Sequence, residues 1–171
     1  QIDETSAKVD GVRTVVSSAS FAANFGGTFD YGSDGAGAVG YALSLSGDGI
    51  GSGLYALDNT DTETVIDGYG QGAQILLYNN AGVIEGRTGS SGGTLYFTIG
   101  VNTDANSVGF GKVTFTQSRN IWHATAGSNA AAYDDVATLT LGAGAYIRLT
   151  QTLTDADGDT SSAYQDLASG D

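Results

Sequence analysis

Apolar side chains recur at every second position along much of this chain, the period of a half-buried β-strand, with no sustained helical stripe. In YALSLS (41–46), Tyr41, Leu43 and Leu45 share one face. In KVTFTQ (112–117), Val113 and Phe115 point inward, and Lys112, Thr114 and Thr116 outward. YIRLTQTL (146–153) sets Ile147, Leu149 and Leu153 against Tyr146, Arg148, Thr150 and Thr152. Further strands are expected at VRTVV (12–16), QILLYN (74–79), VIEG (83–86), TLYFTIGV (94–101), VATLTL (136–141) and SAYQDL (162–167). The segments between them, among them GGTFDYGSDGAG, SGDGIGSG, DNTDTE, RTGSSGG and NTDANS, carry turn residues. SFAANF (20–25) has the pattern of one short helical turn, and TGSSGGT (88–94), lying between two strand patterns, is expected to be a hairpin loop. Many short strands separated by turns predict an all-β fold, an antiparallel β-sandwich with long loops. No internal repeat divides the 171 residues, which are expected to form a single domain, 1–171.

Composition sharpens this picture. There is no cysteine, which excludes disulfides, thiolate metal sites and a cysteine nucleophile. The 27 glycines would suggest disorder in a polar chain, but 40% of the residues are hydrophobic, so glycine is assigned to turns of positive φ. No apolar run approaches the ~20 residues a membrane-spanning helix needs. With Gln1 first and no methionine, the chain has the look of a segment excised from a longer protein.

Charge adds a chemical constraint. Six Lys and Arg stand against nineteen acids, a formal net charge of −13. That balance opposes binding to nucleic-acid phosphates or to an anionic membrane surface. Only three of the acids are glutamates (Glu4, Glu63 and Glu85); the rest are the shorter aspartate. Short carboxylates set among glycines and turns suit an oxygen-ligated cation, above all Ca2+, which takes six to eight oxygens in irregular geometry. An acidic surface adapted to salty surroundings is the alternative.

Four loops are candidate ligand sets. LTDADGDTSS (153–162) leaves a strand with Asp155, Asp157 and Asp159 inside five residues. Carboxylates that close repel one another unless a divalent ion lies between them. The segment is no EF-hand: the sixth loop position is Thr160 where glycine is needed, the twelfth is Asp166, and a strand precedes it. FDYGSDGAG (29–37) offers Asp30 and Asp34, and YDD (133–135) offers Asp134 and Asp135. LDNTDTE (57–63) offers Asp58, Asn59, Asp61 and Glu63, of which alternation puts the last three on one side. For each loop the alternative is a turn whose aspartates are solvated or bonded to their own backbone. The glycine-rich nonapeptide of calcium-binding parallel β-rolls is absent.

GSGLYAL (51–57), the E-G-R turn (85–87), FTQSRNIWHAT (115–125) and LTDADGDTSSA (153–163) occur in an order that resembles an extracellular β-sandwich domain of giant repeats-in-toxin adhesins. These are cell-surface proteins of Gram-negative bacteria, exported by type I secretion and active in cell adhesion and biofilms. The resemblance spans roughly residues 20–165 and implies several bound Ca2+ ions, an extracellular location and neighbouring domains in the same chain. Through the long loops SGDGIGSG and DNTDTETVIDGYGQG it is closest to the calcium-dependent peptide-binding domain of such adhesins, which grips a free peptide C-terminus through a bound calcium ion. The implied partner is a peptide or protein C-terminus on another cell. Asp67, Tyr69 and Gln71 of the second loop are the expected ligand-binding residues, Tyr69 as the aromatic flank of a pocket. A calcium-stiffened structural spacer and a calcium-dependent lectin are the competing functions.

Catalysis is not expected. Glu63 and Glu85 have no spacing that ties them together as a glycosidase pair. His123, the one histidine, follows Trp122 without a nucleophile and orienting acid in an interpretable pattern, and is expected to be a half-buried strand or turn histidine.

Overall fold

The computed structural model describes residues 13–16, 21–25, 30–61, 70–124 and 137–170. Among the described residues there are nine strands: β1 (Arg13–Val16), β2 (Ala36–Leu45), β3 (Ile50–Leu57), β4 (Gln71–Asn80), β5 (Val83–Thr88), β6 (Leu95–Val101), β7 (Val113–Gln117), β8 (Tyr146–Asp155) and β9 (Thr160–Ser169). They form a six-stranded sheet in the order β1-β7-β6-β5-β4-β3 and a three-stranded sheet in the order β2-β8-β9. Every named pairing is antiparallel. The fold is thus an all-β sandwich. A 3-10 turn covers Phe21–Phe25, and no described helix is long and apolar enough to cross a membrane.

The alternation in the sequence becomes the two inner faces. Ile75 and Leu77 of β4, Ile84 of β5, and Phe97 and Ile99 of β6 meet Tyr41 and Leu43 of β2 and Ile147 and Leu149 of β8 in one buried cluster. Phe97 stacks on Phe115 at 5.1 Å between centroids, and Phe110 meets Tyr41 edge-on at 4.9 Å. Polar groups in this core are paired, as burial demands. Gln151 donates from Nε2 to the Tyr41 hydroxyl at 2.8 Å, and the Ser52 hydroxyl donates to the Ile75 carbonyl at 2.6 Å.

Three sequence expectations need correction. SGDGIGSG, taken for a turn, supplies the start of β3: its inward residues Ser52, Leu54 and Ala56 are small or glycine-flanked, which blurs the apolar period. VATLTL is not a strand over its described residues, although the Thr140 amide bonds the Ser52 carbonyl beside β3 and Leu141 is buried. E-G-R is not a turn but the middle of β5. Glycine is required there because a Cβ on Gly86 would lie 2.4 Å from Cε1 of Phe97. The TGSSGGT hairpin loop is as expected, and Arg87 pins it by donating from Nη1 to the Gly93 carbonyl at 2.6 Å.

Candidate functional site: an acidic pocket beside the β8–β9 turn

β8 and β9 are joined by the D-A-D-G-D turn. Gly158, at φ +101°, allows the reversal. The Asp155 side chain organises it: its Oδ1 accepts the amides of Gly158 at 3.0 Å and Asp159 at 2.8 Å, while the Asp155 amide bonds the Asp159 carbonyl. One carboxylate oxygen of Asp155 is therefore committed to the backbone. The loop before β2 docks on this turn through the Ala156 amide, which bonds the Gly35 carbonyl at 3.2 Å. In that loop Asp30 Oδ1 accepts the Gly32 amide at 2.9 Å, folding the chain back so that Asp34 reaches the turn.

The result is a cluster drawn from two loops distant in sequence. Carboxylate oxygens of Asp34, Asp155 and Asp157 lie within 4.8 Å of one another. Beside them the two loops enclose a pocket of about 310 Å3, lined by Asp30, Asp34, Asp155 and Asp159 and by Leu153 and Tyr31. The Asp155 carboxyl is held below the usual carboxylate range, first by a hydrogen bond from the Asp157 side chain; desolvation opposes this, and the amides of Asp159, Gly158 and Asp157 support it. Ionised carboxylates this close repel one another, and a cation between them relieves that repulsion. Arg148 does not relieve that repulsion. It is bonded to both carboxylate oxygens of Asp166 at 2.6 and 3.1 Å, with its guanidinium 4.2 Å from the Tyr146 ring centroid and 3.6 Å from that of Tyr164.

The donor set fits a hard cation: the side-chain donors that line the pocket or form the cluster are carboxylate and hydroxyl oxygens, with no nitrogen or sulfur ligand among them. Of the expected ligands in the 153–162 segment, Asp155 and Asp157 join the cluster and Asp159 lines the pocket. Of those in 29–37, Asp34 joins and Asp30 lines. Sequence spacing pointed to three aspartates of one turn; the third close carboxylate is instead Asp34, a long-range contact that periodicity does not reveal.

The 57–63 loop is different. Asp58 Oδ1 accepts both the amide and the hydroxyl of Thr60, at 2.9 and 2.7 Å, and Asp61 Oδ2 accepts the Gly70 amide at 3.1 Å. The Thr60 hydroxyl and amide hold the Asp58 carboxyl below its ordinary range. These aspartates serve the backbone as turn formers, and neither they nor Asn59 line the acidic pocket. Gln71 begins β4, opposite Leu57, and does not line it either. Glu63, Asp67, Tyr69, Asp134 and Asp135 lie outside the described residues.

His123 and Trp122 line a second, smaller pocket of about 170 Å3 with Tyr55. Nδ1 of His123 is buried there without a hydrogen-bond partner among the described residues. Glu85 accepts from Arg87 Nε at 2.7 Å and from Asn80 at 3.1 Å, which holds its carboxyl below the ordinary range.

No curated protein and no solved structure matches this chain. Residues 1–168 do match a family described as a domain of unknown function (DUF5801), and the chain belongs to that family.

Proposed function

We propose that this protein is a calcium-dependent ligand-binding module of a bacterial surface adhesin. The observation that carries the proposal is the convergence of Asp34, Asp155 and Asp157 at the rim of an open pocket. A Ca2+ ion there would be held by carboxylates of both loops. Bound in so open a site, it would keep coordination positions for an external oxygen ligand. It would also reverse the local sign of a chain whose net charge is −13, and so admit a carboxylate that the protein alone repels. The free C-terminus of a peptide has that chemistry, and Gly32, whose backbone borders the pocket, is open enough to let a chain approach. The order of motifs shared with secreted adhesins supports an extracellular setting, where calcium is abundant.

The competing spacer function has its own support: the cluster joins the loop before β2 to the β8–β9 turn, as a purely structural ion would. Isothermal titration separates the two. A peptide with a free C-terminal carboxylate is expected to bind in calcium, and to lose binding when its terminus is amidated or when calcium is chelated. Equal affinity for the amidated peptide excludes the carboxylate mode. No binding by free-carboxylate peptides or by a glycan panel, with calcium still raising stability, assigns the domain to the spacer role.

A further inference from the structure

A sandwich of two open sheets has four edges, and a bare edge strand invites pairing with another chain. Three of the four are managed here. β1 is four residues long. β2 is interrupted by a register shift between Ala36 and Ala38, beside Gly37. β3 is broken by two register shifts and lies under neighbouring chain: the Trp122 amide bonds the Tyr55 carbonyl, the Thr140 amide bonds the Ser52 carbonyl, and Ala56 bridges Ile121. The first half of β9 has none of these devices. TSSAYQ (160–165) contains no proline, lysine or glycine, pairs in unbroken register with Leu149–Thr154 of β8, and is exposed at all six residues.

The ladder fixes which groups are free. The Asp155 amide bonds the Asp159 carbonyl, so Asp155 and Asp159 form a hydrogen-bonded pair and such pairs alternate along the two strands. Ser161, Ala163 and Gln165 therefore spend their backbone groups on β8. Thr160, Ser162 and Tyr164 turn theirs to the open edge, where no described strand pairs with β9. The side chains on the inner face, Ser161, Ala163 and Gln165, are also uncovered, so β9 forms a ledge beyond the larger sheet.

We infer that this edge binds an extended, basic segment of another protein by strand addition. Backbone pairing supplies the affinity in that mode, and charge selects the partner. The ledge begins at the Asp155–Asp159 turn, next to Asp34. Its nearest cation in the ladder, Arg148, is held by Asp166, and the chain carries a net charge of −13. Pairing β9 with β9 of a second copy would place two such chains side by side, whereas lysine- or arginine-bearing strands are attracted. The surface adjoins the cation pocket, which Thr160 and Ser161 also line, but the backbone groups that Thr160, Ser162 and Tyr164 turn to the edge do not depend on an ion.

The test is fluorescence anisotropy with labelled peptides of about seven residues, the length of an ordinary strand. One alternates threonine and valine with lysine, and the other replaces each lysine by glutamate. The lysine peptide is expected to bind and to weaken as salt rises, with the glutamate peptide at least about tenfold weaker. Ser162→Pro removes the central outward donor and leaves the β8 ladder intact. It should weaken the lysine peptide by about tenfold, the loss of one or two net hydrogen bonds. Ser162→Lys, which keeps the donor but places a like charge on the edge, should do the same and covers the case in which the proline variant fails to fold. Equal binding of the two peptides, no binding of either, or unchanged affinity in a folded Ser162 variant overturns the inference, as does a concentration-dependent dimer of the protein that Ser162→Pro dissolves. Calcium removal should leave binding of the lysine peptide in place, so a failed calcium site and a failed edge give different results.

Discussion

At the scale of single residues, the core shows how little freedom its polar and small positions have. Tyr41 and Gln151 are both buried and bond to each other across β2 and β8. Tyr41→Phe keeps the ring and strands the Gln151 amide, at an expected cost of about 1–3 kcal/mol in urea unfolding. Gly86→Ala drives a methyl into the Phe97 ring, buried at 0% exposure; overpacking of that kind costs about 1–3 kcal/mol. Pairing Gly86→Ala with Phe97→Leu should recover part of the loss, which distinguishes a clash from a backbone effect. Acid sensitivity also belongs to this scale. Asp166 is held below the usual carboxylate range by Arg148, Asp58 by Thr60, and Glu85 by Arg87. For groups depressed in the folded state, the stabilisation is complete above ordinary carboxylate values of about 4 and is lost as pH falls through the lower folded-state values. Asp166→Asn should flatten that part of the acid limb in melts recorded from about pH 6 to about pH 3, and an unchanged limb would show that the Arg148 pair carries no pH dependence.

Elements explain what was legible in the sequence and what was not. β2, β7 and β8 were readable because each buries one face against apolar neighbours, so Tyr41, Leu43, Phe115, Ile147 and Leu149 alternate with polar residues. β3 hid its period, since Ser52 is buried through its own hydrogen bonds and Gly53, at φ +72°, packs against Thr140, where no Cβ fits. VATLTL alternates as a strand does, but the backbone beside β3 gives it only isolated bonds in its described part. The same distinction governs the acidic loops. Asp155 and Asp157 are legible as candidates because they lie on one turn. Asp34 was visible only as one of several aspartates, because docking of Gly35 on Ala156 brings it in. The aspartates of the 57–63 loop had the same appearance in sequence, and Thr60 and Gly70 claim two of them. At this scale Asp34→Asn and Asp157→Asn are expected to leave the β8–β9 turn intact, since Asp155 holds it, while lowering calcium affinity by tenfold or more, about 1.4 kcal/mol. Calorimetric titration reads the change, and wild-type affinity in both variants would remove these two aspartates from the ligand set.

For the molecule as a whole, with a net charge of −13 and a carboxylate cluster that draws on two loops, the proposed cation bears on stability as much as on recognition. An ion that binds only the folded chain stabilises it by about 2.7 kcal/mol at a hundredfold excess over Kd, which corresponds to a rise in Tm of roughly 5–10 °C in a domain of this size. The proposed adhesive function would be available only to the calcium-loaded protein, because the ion would both join the two loops and provide the contact for an anionic ligand. Differential scanning calorimetry of the wild type and of Asp157→Asn, each in millimolar calcium and in excess chelator, tests this most directly. The account predicts a clear rise in wild-type Tm with calcium that is largely lost in Asp157→Asn. Superimposable wild-type melts in calcium and chelator would contradict it.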